Sequence, residues 1–238
     1  MNRFFVENPG FGAAVVEGED FKHLASVLRL KKGDCVMLSD GRGNECEGEI
    51  DRVEPGKAQV KTGPWRPCAA EPAHRITLFQ CLPKAGKMEI ILQKCTELGV
   101  SALVPTLSAR CVVQPGKDFD KKLLRYRKVA REAAMQSHRG IVPQVLPLVE
   151  LKKADLSDFD TVYVAYEGEK GLTLKAAMGD KPGRRVALFV GPEGGFEAEE
   201  VASLEARGAR AVSLGPRILR TETAGMAMVA QMLFELGE

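Results

Sequence analysis

Up to about Arg66 the apolar positions fall in short stretches cut by turn-forming segments, GEDFKH, LKKGD, SDGRGN and EPGK. That spacing predicts a small, mostly β domain. CVMLSD alternates weakly between apolar and polar residues, while ECEGEIDRV and KAQVKT alternate more regularly, as half-buried strands do. Only Asp20 to Leu30 reads as a helix, with Phe21, Leu24 and Leu28 on one side. GPWRPCAAEPAHR then holds three of the thirteen prolines and no periodic pattern, and reads as a linker.

Beyond it the pattern changes to near-continuous apolar runs separated by helical stretches. ITLFQCL is followed by a helix through MEIILQKCTEL, in which Met88, Ile91, Cys95 and Leu98 recur at helical spacing and Gly99 stands where a C-terminal cap belongs. VSALVPT follows, and Lys121 to Gln136 forms a basic amphipathic helix with Leu123, Tyr126, Ala130 and Ala133 inward. TVYVAY, VALFV and AVSL are three further short apolar runs. Apolar strands with helices between them predict a parallel sheet covered on both faces, so the second domain is expected to be α/β.

Composition narrows this little. The 238 residues suit one or two domains, and 45% apolar with 28% charged residues is ordinary globular usage. No uncharged apolar run reaches the length of a membrane span, and MNRFFVENPGFG lacks the apolar core of a secretory signal, so the protein is expected to avoid membranes and to be cytoplasmic. Six cysteines without a CxxC pair read as packed thiols, and three widely spaced histidines predict no structural metal. The net charge is only +2, yet Ser108 to Gly140 carries nine Lys/Arg, Lys117 among them, against three acids. Such a run either meets phosphates or is a solvated helix face.

The chemistry concentrates between Val186 and Ala224, where VALFV and AVSL each end in a glycine-containing loop, GPEGGFEAEE and GPRILRTETAG, that opens onto a helix. Open α/β sheets bind ligands at the carboxyl ends of their strands. Glycines allow close backbone approach there, while Pro192 and Pro216 stiffen the loops. The spacing matches neither a P-loop nor the GxGxxG dinucleotide fingerprint. The loops also fall in the last quarter of the chain, not after the first strand of the domain.

GPEGGFEAEE followed by LGPRILRTETAGMAMV closely resembles the signature of the RsmE family, the 16S rRNA uridine-N3 methyltransferases of the SPOUT class. HLASVLRLKKGD, KMEIILQKCTELGV and REAAMQSHR before IVP resemble further family blocks, in family order. Two positions depart from the family pattern, Met135 where Glu is usual and His138 where Gly is usual. The resemblance implies a PUA-like, RNA-binding β-barrel over residues 1–70 and a SPOUT α/β domain over 74–238 that carries a deep trefoil knot. It further implies a homodimer that uses S-adenosyl-L-methionine to methylate one uridine of 16S rRNA in the small ribosomal subunit. Another rRNA or tRNA target, or a noncatalytic RNA-binding assembly factor, are the competing readings.

By matching motif positions, the resemblance makes Leu188, Gly191, Glu193, Gly194, Leu214, Gly215, Ile218, Leu219 and Thr223 donor-site candidates. Uracil N3 carries a proton, so methylating it needs either a base or a cation for the charge that spreads onto O2 and O4. Arg220 is the candidate cation. Glu222 or Glu193 is the candidate base, provided burial raises its pKa, and Glu222 has an alternative reading as an acid favoured at a helix N-terminus. Arg217 reads as a phosphate contact or a loop brace. RNA contacts are expected from Arg3, His23, Arg29 and Arg42 in the first domain and from Arg110, Arg131 and Arg139 in the basic run. Some of Met226, Met232 and Phe234, on a Met-rich last helix, are expected to meet a partner chain.

Overall fold

A computed structural model of the chain describes every residue except Asn8, Ala85, Lys117 and 180–182, and the statements below concern the described residues. Two compact units emerge, one from 1–71 together with 134–142, the other from 72–133 together with 143–238.

The first unit is built on β1 (Arg3–Phe5), β2 (Ala13–Glu17), β3 (Cys35–Ser39), β4 (Asn44–Glu54), β5 (Lys57–Thr62) and β6 (Arg66–Pro67). The strands pair in the order β1-β3-β4-β5-β2, with β6 also on β4, and every ladder is antiparallel except β1 with β3. The two end strands are not laddered to each other, yet Phe4 of β1 and Val16 of β2 are buried in one core with Val36, Leu38, Ile50 and Val60. The alternation along β2 shows the cause, with Ala14 and Val16 inward and Ala13, Val15 and Glu17 outward.

The helix expected over Asp20 to Leu30 forms differently. A short α1 (Gly18–Lys22) runs into a π-helical turn, His23–Val27, closed by the Leu28 N–H donating to the His23 carbonyl, and the chain leaves through Arg29 at φ +54°. The extra residue in the turn leaves Leu24 buried and sets Phe21 and Leu28 at the core's margin.

The second unit contains β7 (Arg75–Cys81), α2 (Lys87–Leu98), β8 (Ala102–Leu107), α3 (Phe119–Gln136), β9 (Gln144–Val145), β10 (Val149–Glu150), β11 (Thr161–Ala165), α4 (Leu174–Met178), β12 (Arg185–Val190), α5 (Ala198–Glu205), β13 (Arg210–Val212) and α6 (Thr221–Leu236); the last turn of α3 belongs to the first unit. Its seven strands are all parallel, in the order β10-β8-β7-β12-β11-β13 with β9 also on β8. Strand periodicity sorts the side chains between two cores. Ile76, Leu78, Val186, Leu188 and Val190 face one core with Met88, Ile91, Met228, Val229 and Met232 of α2 and α6. Phe79, Cys81, Ala187 and Phe189 face the other with Val201 and Leu204 of α5. Phe79 stacks on Phe189 across neighbouring strands, centroids 4.3 Å apart. α2 ends where expected, at Gly99, whose N–H bonds the Cys95 and Thr96 carbonyls at φ +117°.

Segment 134–142 is held in the first unit by two buried ion pairs. Glu71 accepts from Arg139 Nη2 (2.7 Å) and Nε (3.3 Å) and from the backbone N–H groups of Gly140 (2.8 Å) and Ile141 (3.0 Å). Arg3 Nη2 lies 2.6 Å from Glu45, and its Nη1 donates to the Arg139 carbonyl at 3.2 Å. GPWRPCAAEPAHR is therefore no free linker, because Arg66–Pro67 pairs with β4 and Glu71 is the anchor of the returning segment. His138, at φ +60°, takes the left-handed position after the helix, with Arg139 N–H on the Ala134 carbonyl. That is the backbone conformation glycine adopts most cheaply, and it is the position where the resemblance leads one to expect glycine. Glu71→Ala leaves the Arg139 guanidinium buried without its charge partner and is expected to cost about 3–5 kcal/mol, read as a lower urea midpoint.

Candidate active site

The site grows from strand order. β11 pairs with β12 on one side and β13 on the other, so the loops that follow β12 and β13 emerge side by side at the carboxyl end of the sheet. The first, 191–197, tightens through the Gly195 N–H on the Pro192 carbonyl and is anchored in the core by buried Phe196. Gly195 stands at φ +67°, a left-handed conformation that favours glycine, and a Cβ there would have to displace the Glu167 carboxylate. Arg110 braces this loop from outside, donating to the Gly194 carbonyl at 2.9 Å. The second loop, 213–220, turns at Gly215 and delivers Arg220 as the N-cap of α6.

Together with the loop after β11, these segments enclose a cavity of about 840 Å³. That size lies within the roughly 300–1,000 Å³ of small-molecule sites. Gly191, Glu193, Gly194, Leu214, Gly215, Ile218, Leu219 and Arg220 all line it, as do Glu167 and Arg217. Leu188, Thr223 and the candidate base Glu222 do not. Leu188 is fully buried because strand parity turns it into the α2/α6 core with Val186 and Val190, and Thr223 is exposed on the first turn of α6 away from the cavity.

Lys87, the first residue of α2, brings a further charge to the site from outside the motif loops. Its Nζ lies 3.1 Å from Glu193 of the first loop and 3.1 Å from Glu222 at the start of α6. Hydrogen bonds to Glu222 and Glu193 push the lysine up from its ordinary pKa. Burial alone would raise Glu193, but the Lys84 N–H, its own N–H and Lys87 outweigh it and hold the carboxyl below its usual value. Glu222 is likewise lowered, by its own N–H against a smaller burial effect, then by Lys87 and Arg220. Neither acid is raised toward neutrality, which corrects the expectation of a carboxylate tuned as a base. Arg220 and Arg217 are exposed and form no ion pair among the described residues.

The expected RNA contacts divide. His23, Arg29 and Arg42 are exposed on the first unit. Arg3 and Arg139 are not available, being only 6% and 2% exposed and committed to Glu45 and Glu71. Arg110 is a loop brace with an exposed side chain, and Arg131 is half-buried on α3. The exposed basic residues of α3 include Lys121, Lys122, Arg125, Arg127 and Lys128, whereas Lys117 lies outside the described residues. Met232 is fully buried in the core of its own unit and cannot meet a partner chain; Phe234 is 78% exposed and Met226 half-buried.

A family described as an RNA methyltransferase domain matches residues 70–233, and one described as an RNA methyltransferase PUA domain matches residues 16–62. The ribosomal RNA small subunit methyltransferase E of Bacillus subtilis is 33% identical over 251 aligned positions, covering 99% of this chain and 97% of the relative. The Mycobacterium tuberculosis protein of the same name is 35% identical, covering 93% and 87%. This chain belongs to the ribosomal RNA small subunit methyltransferase E family. The crystal structure of the Neisseria gonorrhoeae member bound to S-adenosyl methionine is 31% identical and superposes with a TM-score of 0.87 over 98% of this chain and 97% of its own.

Sequence reasoning missed Lys87 in this methyltransferase, although it opens the KMEIILQKCTELGV block, because it lies over a hundred residues from the loops whose acids it joins. Lys87→Met removes the shared cation, so the Glu193 and Glu222 carboxyl pKa values are both expected to move up in a ¹³C-detected titration. Values unchanged from wild type would contradict the shared pairing.

Proposed function

We propose that this protein transfers the methyl group of S-adenosyl-L-methionine to N3 of one uridine of 16S rRNA, acting as a homodimer on small ribosomal subunits. Family membership supports the methyltransferase activity on small-subunit rRNA. The observation that carries the assignment to this cavity is the convergence of both glycine-bearing loops on one space lined by backbone, a few apolar side chains and unpaired arginines.

The cavity suits the donor. Leu214, Ile218 and Leu219 offer an apolar slot for a flat ring, and bare backbone at Gly191, Gly194 and Gly215 admits polar edges without side-chain obstruction. When bound, the donor supplies an electrophilic methyl group on a sulfonium sulfur. The residues around it must then hold uracil N3 in line with that methyl, which is where much of the acceleration arises.

N3 becomes nucleophilic as its proton leaves and negative charge spreads onto O2 and O4. Arg220 lines the cavity with its guanidinium unpaired, so it is placed to meet that charge, whereas Lys87 is neutralised by Glu193 and Glu222. With Glu193 and Glu222 held ionised by Lys87, the N3 proton passes to solvent rather than to a tuned carboxyl. N3 lies on the Watson–Crick edge, so the target base must be unpaired or flipped out. His23, Arg29 and Arg42 and the exposed basic face of α3 would grip the surrounding phosphates.

Dimerisation is read from α6 and the loop before it, where Phe234 and Ile218 are each 78% exposed, an uncommon setting for large apolar side chains near a site. The deep trefoil knot is assigned to the C-terminal part, where the chain leaves edge strand β13 and returns α6 against the central strands β7 and β12.

The test is to incubate the protein and donor with small subunits lacking the modification and to map reverse-transcriptase stops along the 16S RNA. A donor-dependent stop at one uridine is expected, and Arg220→Ala is expected to slow its appearance roughly 10²–10³-fold. Donor binding without a stop would redirect the activity to another RNA, and absence of donor binding would favour a noncatalytic RNA-binding protein.

A further inference from the structure

Beneath the cavity floor lies a polar relay that neither loop contains by itself. Gln80, the penultimate residue of β7, is fully buried on the α2/α6 face, in line with Ile76 and Leu78. Its Nε2 donates to Thr221 Oγ1 at 2.9 Å and to the Cys81 carbonyl at 3.2 Å. Thr221, the first residue of α6, donates its hydroxyl proton to the Gly191 carbonyl at 2.6 Å. Because the hydroxyl has one proton and spends it on Gly191, it must accept from Gln80, and this fixes which end of the amide faces it.

The other end is left over. Gln80 Oε1 is buried without a hydrogen-bond partner, and it lies 3.0 Å from where a Cβ on Gly225 would stand, one helical turn into α6. A buried acceptor without a donor is destabilising, and an apolar side chain would avoid it. Stability therefore does not favour the amide; the role of Gln80 lies in its N–H end. That end is coupled through one hydroxyl to the first residue of the GPEGG loop and to the start of the helix that carries Arg220 and Glu222.

We infer that Gln80 and Thr221 are positioning residues that set the spacing between the two cavity loops, and through it the affinity for the methyl donor. The inference rests on the cavity being the donor site. Neither side chain needs to touch the donor. Gly191 and Arg220 stand at the facing edges of the two loops, and the relay is the side-chain link between those edges that passes through the core, whereas Lys87 joins them across the cavity side. Losing the relay lets the loops shift, and a misplacement of about an ångström suffices for large losses in a preorganised site.

Two sets of variants test it, with donor affinity from calorimetry and melting temperature recorded for each. Thr221→Val keeps the shape and removes the hydroxyl, and is expected to weaken S-adenosylmethionine binding roughly tenfold or more, while Thr221→Ser restores binding to near the wild-type value. Gln80→Leu is expected to weaken binding similarly without lowering the melting temperature, since it also removes the unpartnered oxygen. A purely structural role would instead lower melting temperature and leave the affinity of the folded protein intact. Wild-type affinity in Thr221→Val, or a Thr221→Ser variant as impaired as Thr221→Val, would overturn the relay alone. A wild-type protein that takes up no donor would overturn the functional reading, and the relay's role with it.

Discussion

The site depends on β11 lying between β12 and β13. Parallel pairing aligns Thr161–Ala165 with Val186–Val190 on one side and Tyr163–Ala165 with Arg210–Val212 on the other. Both flanking strands therefore end at the same level, and two loops separated in sequence by α5 and β13 share one mouth. Parallel strands require crossovers, here α4 and α5, and with α2 and α6 those helices cover the two faces of the central strands. Strand ends in such a sheet are the natural place for backbone to meet a ligand, because the side chains below are consumed by packing.

Charge is handled differently in the two units. In the first, Arg3 with Glu45 and Arg139 with Glu71 are desolvated, nearly saturated with hydrogen bonds, and fix where segment 134–142 lies. Burial makes such pairs costly to break by removing one partner, and they act as positional constraints rather than as ligands for a phosphate. In the second, Lys87 holds two carboxylates at a partly exposed wall and leaves Arg220 unpaired beside the cavity. With that lysine saturated by acids, Arg220 and Arg217 are the lining cations that no carboxylate pairs among the described residues.

Much of this was legible in the chain. The change from alternating to continuous apolar runs near residue 75 separated a mostly antiparallel sheet from a parallel one, and the placement of Gly99, α2, α3 and strands β3, β4, β5, β7, β8, β11, β12 and β13 followed from periodicity and turn chemistry. The two glycine loops pointed to the cavity before any contact was known. What escaped was set by tertiary contacts. A count of basic residues cannot separate exposed Arg42 from buried Arg139, since that depends on a glutamate 68 positions away. Leu188 follows from motif matching but not from strand parity, which turns it inward with Val186 and Val190. Lys87 and Gln80 come from elements outside the two glycine loops, and the π-helical turn at His23 looks like any short amphipathic helix until its hydrogen bonds are traced.

If the loops at 191–197 and 213–220 together form the methyl-donor site, both must respond to the donor. Amide hydrogen exchange of the whole protein, with and without saturating S-adenosylmethionine, tests it most directly. Donor-dependent protection is expected in both loops at once, with none in the strands of residues 3–62. Protection confined to one loop, or appearing only elsewhere in the chain, would contradict it.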